Sequence, residues 1–319
     1  MAARALAVEN QHWIPRFLLR NFADLDGRVF RLGVEDDIVT KPPPKFAAAR
    51  PNFNLLLSGG APVSFEARFQ TIETAAAPPI KDVLAARSLA TLSEKQRHAI
   101  AAFIAAQSFR TEAYRKGLDA ADRRTDPGET WERLWDSLPF LAAMVGRRHW
   151  ALMETEPENL FYLGDSPVVL QSTERPGDAM ELGLDLPGVE AFLPLSPTLA
   201  LYLPCPATCD EIIDGYHSAL WMSAWPLGRA KLRSAGRQDA IRLAERAIAT
   251  SGSLYRSLAQ GVPFAADPEN VENLNYLQCA WSSSAIYSRQ PDFSFARRVF
   301  GENPGYRKAM PVRLVSRFE

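Results

Sequence analysis

The segment Asn10-Gln11-His12-Trp13-Ile14-Pro15-Arg16-Phe17-Leu18-Leu19-Arg20-Asn21-Phe22 crowds Trp13, Ile14, Phe17, Leu18 and Phe22 into one short stretch near the start of the chain. Side chains of this kind need a core, so the segment is expected to dock against the body of the protein rather than trail in water. Docking in turn holds His12, Arg16 and Arg20 in place. Pro15 suits the first turn of a short helix reaching about Asn21, because its fixed φ matches the helix and its missing N–H is not needed there. Asp24-Leu25-Asp26-Gly27 then makes a turn.

Beyond this anchor, 319 residues with 47% hydrophobic content can bury a sizeable core. The expected organisation is a single compact domain over residues 1–319, with a helical half at 1–155 and a mixed strand and helix half at 156–319. The 36 basic residues against 37 acidic ones leave a net charge of -1. That balance argues against a broad surface for nucleic acid or anionic membrane, while leaving room for a local basic pocket. No run approaches the roughly 20 apolar residues that span a bilayer, and no basic segment followed by an apolar one opens the chain. The sequence therefore predicts a cytoplasmic protein with no membrane partner. Cys205 and Cys209 have no nearby Cys/His pair to complete a zinc set, so all 3 cysteines read as buried free thiols in a reducing compartment.

The periodicity of the chain changes along its length. Arg28-Val29-Phe30-Arg31-Leu32 alternates and Asp37-Ile38-Val39-Thr40 follows, which predicts a hairpin whose two-sided polarity makes it a surface ribbon. Lys41-Pro42-Pro43-Pro44 leads out of it into an extended connection. From Ser64, Phe65, Phe69 and Ile72 share one helical stripe and Glu66, Gln70 and Glu73 another. Pro78-Pro79 is expected to end that helix, with a second from Ile80 to about Arg87. Ser93 and Gln96 form a capping box that opens a long helix through Tyr114. Trp131 to Met153 continues in helical register, kinked at Pro139.

After Pro157 the texture becomes β. Leu160 to Leu163, Val168 to Leu170, Ala191 to Leu195 and Leu199 to Leu203 read as strands, with a polar loop from Arg175 to Glu190. Helices follow from Gln238 to Leu258 and from Pro268 to about Ser288, and Val312 to Val315 closes the chain as an edge strand. Helices flank strands without a repeating βαβ rhythm. The expected fold class is therefore α+β, mostly helical, with a small mixed or antiparallel sheet and an N-terminal hairpin.

Several patches stand in a definite order. The opening N-x-H-W-I-P-R-F-L-L-R-N-F is followed by E-x-R-F-Q-x-I-E at Glu66 to Glu73 and Q-x-x-R-T at Gln107 to Thr111. Then come G-D-S-P-V at Gly164 to Val168, L-P-L-S-P at Leu193 to Pro197, and N-L-N-x-x-Q from Asn273 to Gln278. This order and spacing resembles the mainly prokaryotic domain-of-unknown-function family 4238 over most of the chain. The resemblance implies a bacterial, single-domain protein of mixed structure, and it brings no assigned activity.

The chemistry-bearing residues within these patches are few. On one long helix, Phe103, Gln107, Arg110, Thr111 and Tyr114 share a side, a stripe as suited to a ligand as to a buried polar network. Arg110 can hold a phosphate or carboxylate bidentately. Glu66 and Glu73 form a carboxylate pair able to bind a hard cation or to act with arginines, although a charged stripe is more often a solvated face. Asn275 and Gln278 recur one helical turn apart, able to orient a ligand or to satisfy buried backbone. Asp165 sits in a Gly-Asp-Ser-Pro turn at the end of a strand, where a rigid scaffold presents functional groups. His12 is the one histidine inside a dense motif, suited to a general base or a metal ligand as well as to packing. No H-E-x-x-H, P-loop, G-x-G-x-x-G or G-x-S-x-G pattern occurs.

Two functional readings follow. In the first, His12, Asp165 and Glu73 are the catalytic groups of a hydrolase or nuclease-like enzyme acting on a phosphate-containing substrate. Arg16, Gln107, Arg110, Thr111, Asn275 and Gln278 bind the ligand, and Glu66, Glu73 and Asp165 offer a place for a divalent metal. In the second, the same polar set belongs to a non-catalytic protein that recognises a small anionic ligand or a segment of a partner protein.

Overall fold

A computed structural model of the chain describes residues 10–120, 126–172, 181–184, 186, 188–223, 230–231, 233–234, 238–307 and 313–314. The opening segment is docked from its first described residue. Asn10–His12 pairs antiparallel with Ala49–Pro51, and the Trp13 N–H donates to the Ala48 carbonyl at 3.0 Å. Behind it the short helix Arg16–Asn21 drives Leu18 and Leu19 inward, with Ile14 and Phe22 equally inaccessible. Arg16 and Arg20 project from the other side of this helix and are exposed.

Helix outweighs strand, 51% against 19%, as an α+β class requires, but the small sheet expected from sequence is overturned. Described strands form a five-stranded sheet in the order Pro263–Ala265, Ala151–Glu154, Leu199–Leu203, Val189–Ser196, Val169–Ser172. All its neighbours are antiparallel except Pro263–Ala265, which runs parallel to Ala151–Glu154. A separate four-stranded antiparallel sheet is ordered Val39–Thr40, Phe30–Gly33, Ala285–Ser288, Leu163–Gly164. The N-terminal hairpin is thus no surface ribbon. Ala285–Ser288, from the far end of the chain, pairs with Phe30–Gly33, and Leu32 and Val34 are inaccessible because they pack in a buried cluster with Ile286, Phe293 and Phe300. Leu55–Ser58 pairs with Ala61–Ser64, and Glu181–Leu182 pairs parallel with Arg313–Leu314. Val312 and Val315, which the sequence adds to that last strand, lie outside the described residues, as does half of the predicted loop from Arg175 to Glu190, whose described half contributes Glu181–Leu182 and the start of Val189–Ser196 to strands.

Four helix boundaries depart from expectation, and one of them is the helix predicted from Pro268 to about Ser288, which ends at Ala280 and gives way to the strand Ala285–Ser288. The helix Glu66–Ala86 runs straight through Pro78 and Pro79. Pro79, Ile80 and Val83 continue the buried stripe begun by Phe69 and Ala76, and their packing offsets the roughly 3 kcal/mol that an interior proline costs. The capping box at Ser93 and Gln96 is present, but its helix ends at Phe109 and a new one, Glu112–Ala120, begins after a break at Arg110. The helix Pro127–Arg147 stops before Trp150, and Ala151–Glu154 enters the five-stranded sheet instead. A single cluster of buried side chains extends from Trp13 to Tyr287 and joins these helices to that sheet.

Candidate functional site

The break in the helix at Arg110 makes the site. Arg110 has a side chain only 3% exposed, and its φ of -84° and ψ of 63° turn the chain away from the helix axis. Its Nη1 donates to Glu73 Oε1 in a close ion pair, and its Nη2 donates to the His12 carbonyl at 2.5 Å and lies 3.9 Å from Glu66 Oε2. The guanidinium also stacks 4.4 Å from the centre of the Phe69 ring. One side chain therefore ties the N-terminal strand to the helix Glu66–Ala86. Glu66 in turn accepts from Asn54 Nδ2 at 2.5 Å and from Gln70 Nε2 at 3.1 Å.

Above this frame opens a cleft of about 550 Å³, lined among others by His12, Arg16, Phe17, Glu66, Glu73 and Arg110. His12 Nε2 lies 3.2 Å from the Pro44 carbonyl oxygen, which only accepts, so the proton of the neutral ring is on Nε2 and the lone pair on Nδ1. Burial lowers the His12 pKa below its usual value, and the nearby charges of Arg16 and Arg110 push the same way against the Pro44 hydrogen bond and Glu66. The ring is thus held neutral at physiological pH. Thr74 also borders the cleft, and because Pro78 has no N–H, the Thr74 carbonyl receives no helical hydrogen bond from four residues on.

Arg16 lines a second concavity of about 450 Å³ together with Arg20, Asp24, Pro43, Pro44 and Lys45, among others. Among the described residues, Arg16, Arg20 and Lys45 have no carboxylate partner and no side-chain hydrogen bond. Asp24 is already committed. It pairs with Lys41 at 2.5 Å, and that contact together with the Arg28 and Asp26 N–H groups holds its carboxyl below the usual range.

The other residues singled out in the sequence lie elsewhere, each engaged with backbone. Gln107 Nε2 donates to the Trp13 carbonyl at 2.6 Å and to the Arg110 carbonyl at 3.1 Å, bracing the helix break. Thr111 Oγ1 accepts from the Tyr114 N–H at 3.1 Å and caps the next helix. Neither side chain shares one long helix face with Arg110, as the sequence predicts, because no such helix exists. Asn275 accepts from the Tyr162 N–H at 2.7 Å and donates to the Leu160 carbonyl at 2.9 Å. Gln278 accepts from the Gly164 N–H at 2.6 Å and donates to the Pro167 carbonyl at 3.2 Å. These amides do for the stretch 160–167 what a neighbouring strand would do.

Asp165 does not line the cleft that His12 and Glu73 border. Its carboxylate accepts the N–H groups of Ser283 at 2.9 Å and Ser284 at 2.6 Å, and their hydroxyls at 3.2 Å and 2.5 Å. Complete burial pushes its pKa up, and these four donors pull it back. The set Glu66, Glu73 and Asp165 is thereby divided between the cleft and this serine cradle. Among the described residues, no group of three or more His, Cys, Asp or Glu is arranged to hold a metal ion. Sequence reasoning missed Pro44, Asn54 and Lys45, whose roles depend on the path of an extended connection that no periodicity marks. The Arg16 and Arg20 pair was visible as an i, i+4 spacing.

No described helix is long and apolar enough to cross a membrane. A family model described as a protein of unknown function, DUF4238, matches residues 10–137 and 135–292. No curated protein and no solved structure matches the chain.

Proposed function

The chain belongs to the DUF4238 family, proteins of unknown function, and from the chemistry of its cleft we propose that it hydrolyses a phosphate ester, with His12 as general base and Arg16 as the anchor for the substrate's negative charge. The observation that carries this reading is the juxtaposition of a ring held neutral, its Nε2–H committed to the Pro44 carbonyl, with an arginine that has no carboxylate partner among the described residues. His12 Nδ1 takes a proton from water as the water oxygen attacks phosphorus. The bond from phosphorus to the leaving oxygen then breaks, and that oxygen is protonated from solvent or from the imidazolium just formed. Arg110 acts as a positioning residue: it fixes the His12 main chain and balances Glu73.

Both cleft carboxylates are committed to internal donors, Glu73 to Arg110 and Glu66 to Asn54 and Gln70. That observation favours the second reading, a binding protein for a small anion. The two readings separate with bis(p-nitrophenyl) phosphate as substrate and inorganic phosphate as ligand. Hydrolysis that falls about 10²- to 10⁴-fold in His12→Gln, with phosphate affinity retained, supports the base. Phosphate binding that depends on Arg16, with no turnover in the unaltered protein, supports the binding reading. Turnover unaffected by His12→Gln overturns the proposal.

A further inference from the structure

The concavity beside the cleft carries more charge than a single phosphate needs. Arg16 borders both hollows, so the two adjoin at its side chain. Arg16 and Arg20 stand one helical turn apart, about 5–6 Å between their β-carbons, and Lys45 lines the same hollow. The charge here is not cancelled locally, because Asp24 is occupied by Lys41. Flat apolar surface accompanies it. Phe46 is 61% exposed with Lys45 Nζ 4.7 Å from its ring centre, and the partly buried Phe17 lines the adjoining cleft.

A row of cations tracking past exposed aromatic rings is the physical recipe for a single-stranded nucleic acid: cations neutralise successive phosphates and rings stack on bases of any sequence. A duplex would need a broader basic face than a chain of net charge -1 offers. We infer that the groove of Arg16, Arg20 and Lys45 seats the neighbouring phosphates of a short single-stranded oligonucleotide, with Phe46 stacking on a base and the adjoining phosphodiester delivered to His12. The delivery step rests on the hydrolytic reading given above; the binding step does not.

The probe is a fluorescein-labelled hexathymidylate, its binding read by anisotropy across a salt series. The unaltered protein binds it with an affinity that falls as salt rises. Arg20→Ala/Lys45→Ala weakens binding at least tenfold and lowers the slope of log affinity against log salt by about 1.4, as two lost phosphate contacts in a single strand demand. Phe46→Ala weakens binding about tenfold at every salt concentration with no change of slope. All three substituted positions are exposed, so each variant should melt with the unaltered protein. Absence of binding, binding insensitive to the double substitution, or equal competition by inorganic tripolyphosphate overturns the inference. Binding that obeys these rules without cleavage of the oligonucleotide leaves the binding step standing and overturns the delivery step, while the hydrolytic reading itself is decided by turnover of bis(p-nitrophenyl) phosphate.

Discussion

Replacing Arg110 with methionine tests whether the cleft is held together as described. The change keeps much of the apolar stem that lies on Phe69 and removes the two donors directed at Glu73 and at the His12 carbonyl. Breaking a buried ion pair from one side costs about 3–5 kcal/mol, because the remaining charge stays in a poorly solvated place. Glu73 keeps 22% side-chain exposure and can recruit water, which sets the expected loss at the lower end, about 3 kcal/mol. At about 2.1 cal/mol/K per residue, unfolding a chain of 319 residues carries an entropy near 0.7 kcal/mol/K, so the melting temperature should drop by about 4–5 °C.

Urea denaturation of four proteins measures this directly: the unaltered chain, Arg110→Met, Glu73→Gln and the double variant. The two single substitutions should not add. Their coupling should reach about 1–3 kcal/mol, since each removes the partner of the other. Arg110→Lys should recover only part of the loss, because one ammonium cannot serve the carboxylate and the carbonyl in the planar geometry of a guanidinium. A loss below about 0.5 kcal/mol in Arg110→Met, or coupling within error of zero, would refute the claim that this residue assembles the cleft.

Three further outcomes follow from the same coordinates. Gln278→Leu removes the partners of the Gly164 N–H and the Pro167 carbonyl without opening a large void, and urea titration should show a loss of about 2–5 kcal/mol. Asp165→Ala strands the Ser283 and Ser284 N–H groups and should cost about 2–5 kcal/mol in the same assay, with hydrolysis per folded molecule preserved; selective loss of activity would instead return Asp165 to the catalytic set. The lowered His12 pKa sets a pH dependence with a definite sign: the unfolded ring takes up its proton first, so His12 contributes stability above about pH 6.5 that is lost as pH falls through the depressed folded value. Hydrolysis should fade over that same acid range, and an acid limb above pH 6.5 would contradict the environment described for the ring.

The parts of this molecule that could be read from sequence are those whose cause is local. The docked start, the short helix after Pro15 and the capping box at Ser93 each follow from a few adjacent residues. What could not be read depends on distant partners. Phe30–Gly33 looks like half of an isolated ribbon until Ala285–Ser288 arrives beside it, and nothing near Pro78 announces that the surrounding stripe packs well enough to carry a helix through two prolines. The candidate site divides in the same way. His12, Arg16, Glu66, Glu73 and Arg110 converge because one helix break faces one strand, whereas Asp165 is drawn off by two serines more than a hundred positions away in sequence.

Residue type therefore separates structural from functional polar groups less well than whether their hydrogen-bonding capacity is already used. Arg110 and Arg16 are the same residue in the same cleft. Arg110 is buried against a ring, a carboxylate and a carbonyl, so binding a ligand through it would first require breaking those contacts. Arg16 is exposed, and a ligand phosphate would face no competing acceptor among the described residues. The same reasoning takes Gln107, Thr111, Asn275 and Gln278 out of the site, since their hydrogen bonds go to backbone that would otherwise be buried unpaired. It also explains why His12 remains in it: the Pro44 carbonyl occupies one ring nitrogen and burial keeps the other unprotonated, which leaves a base at the head of a groove whose cations are still free to bind.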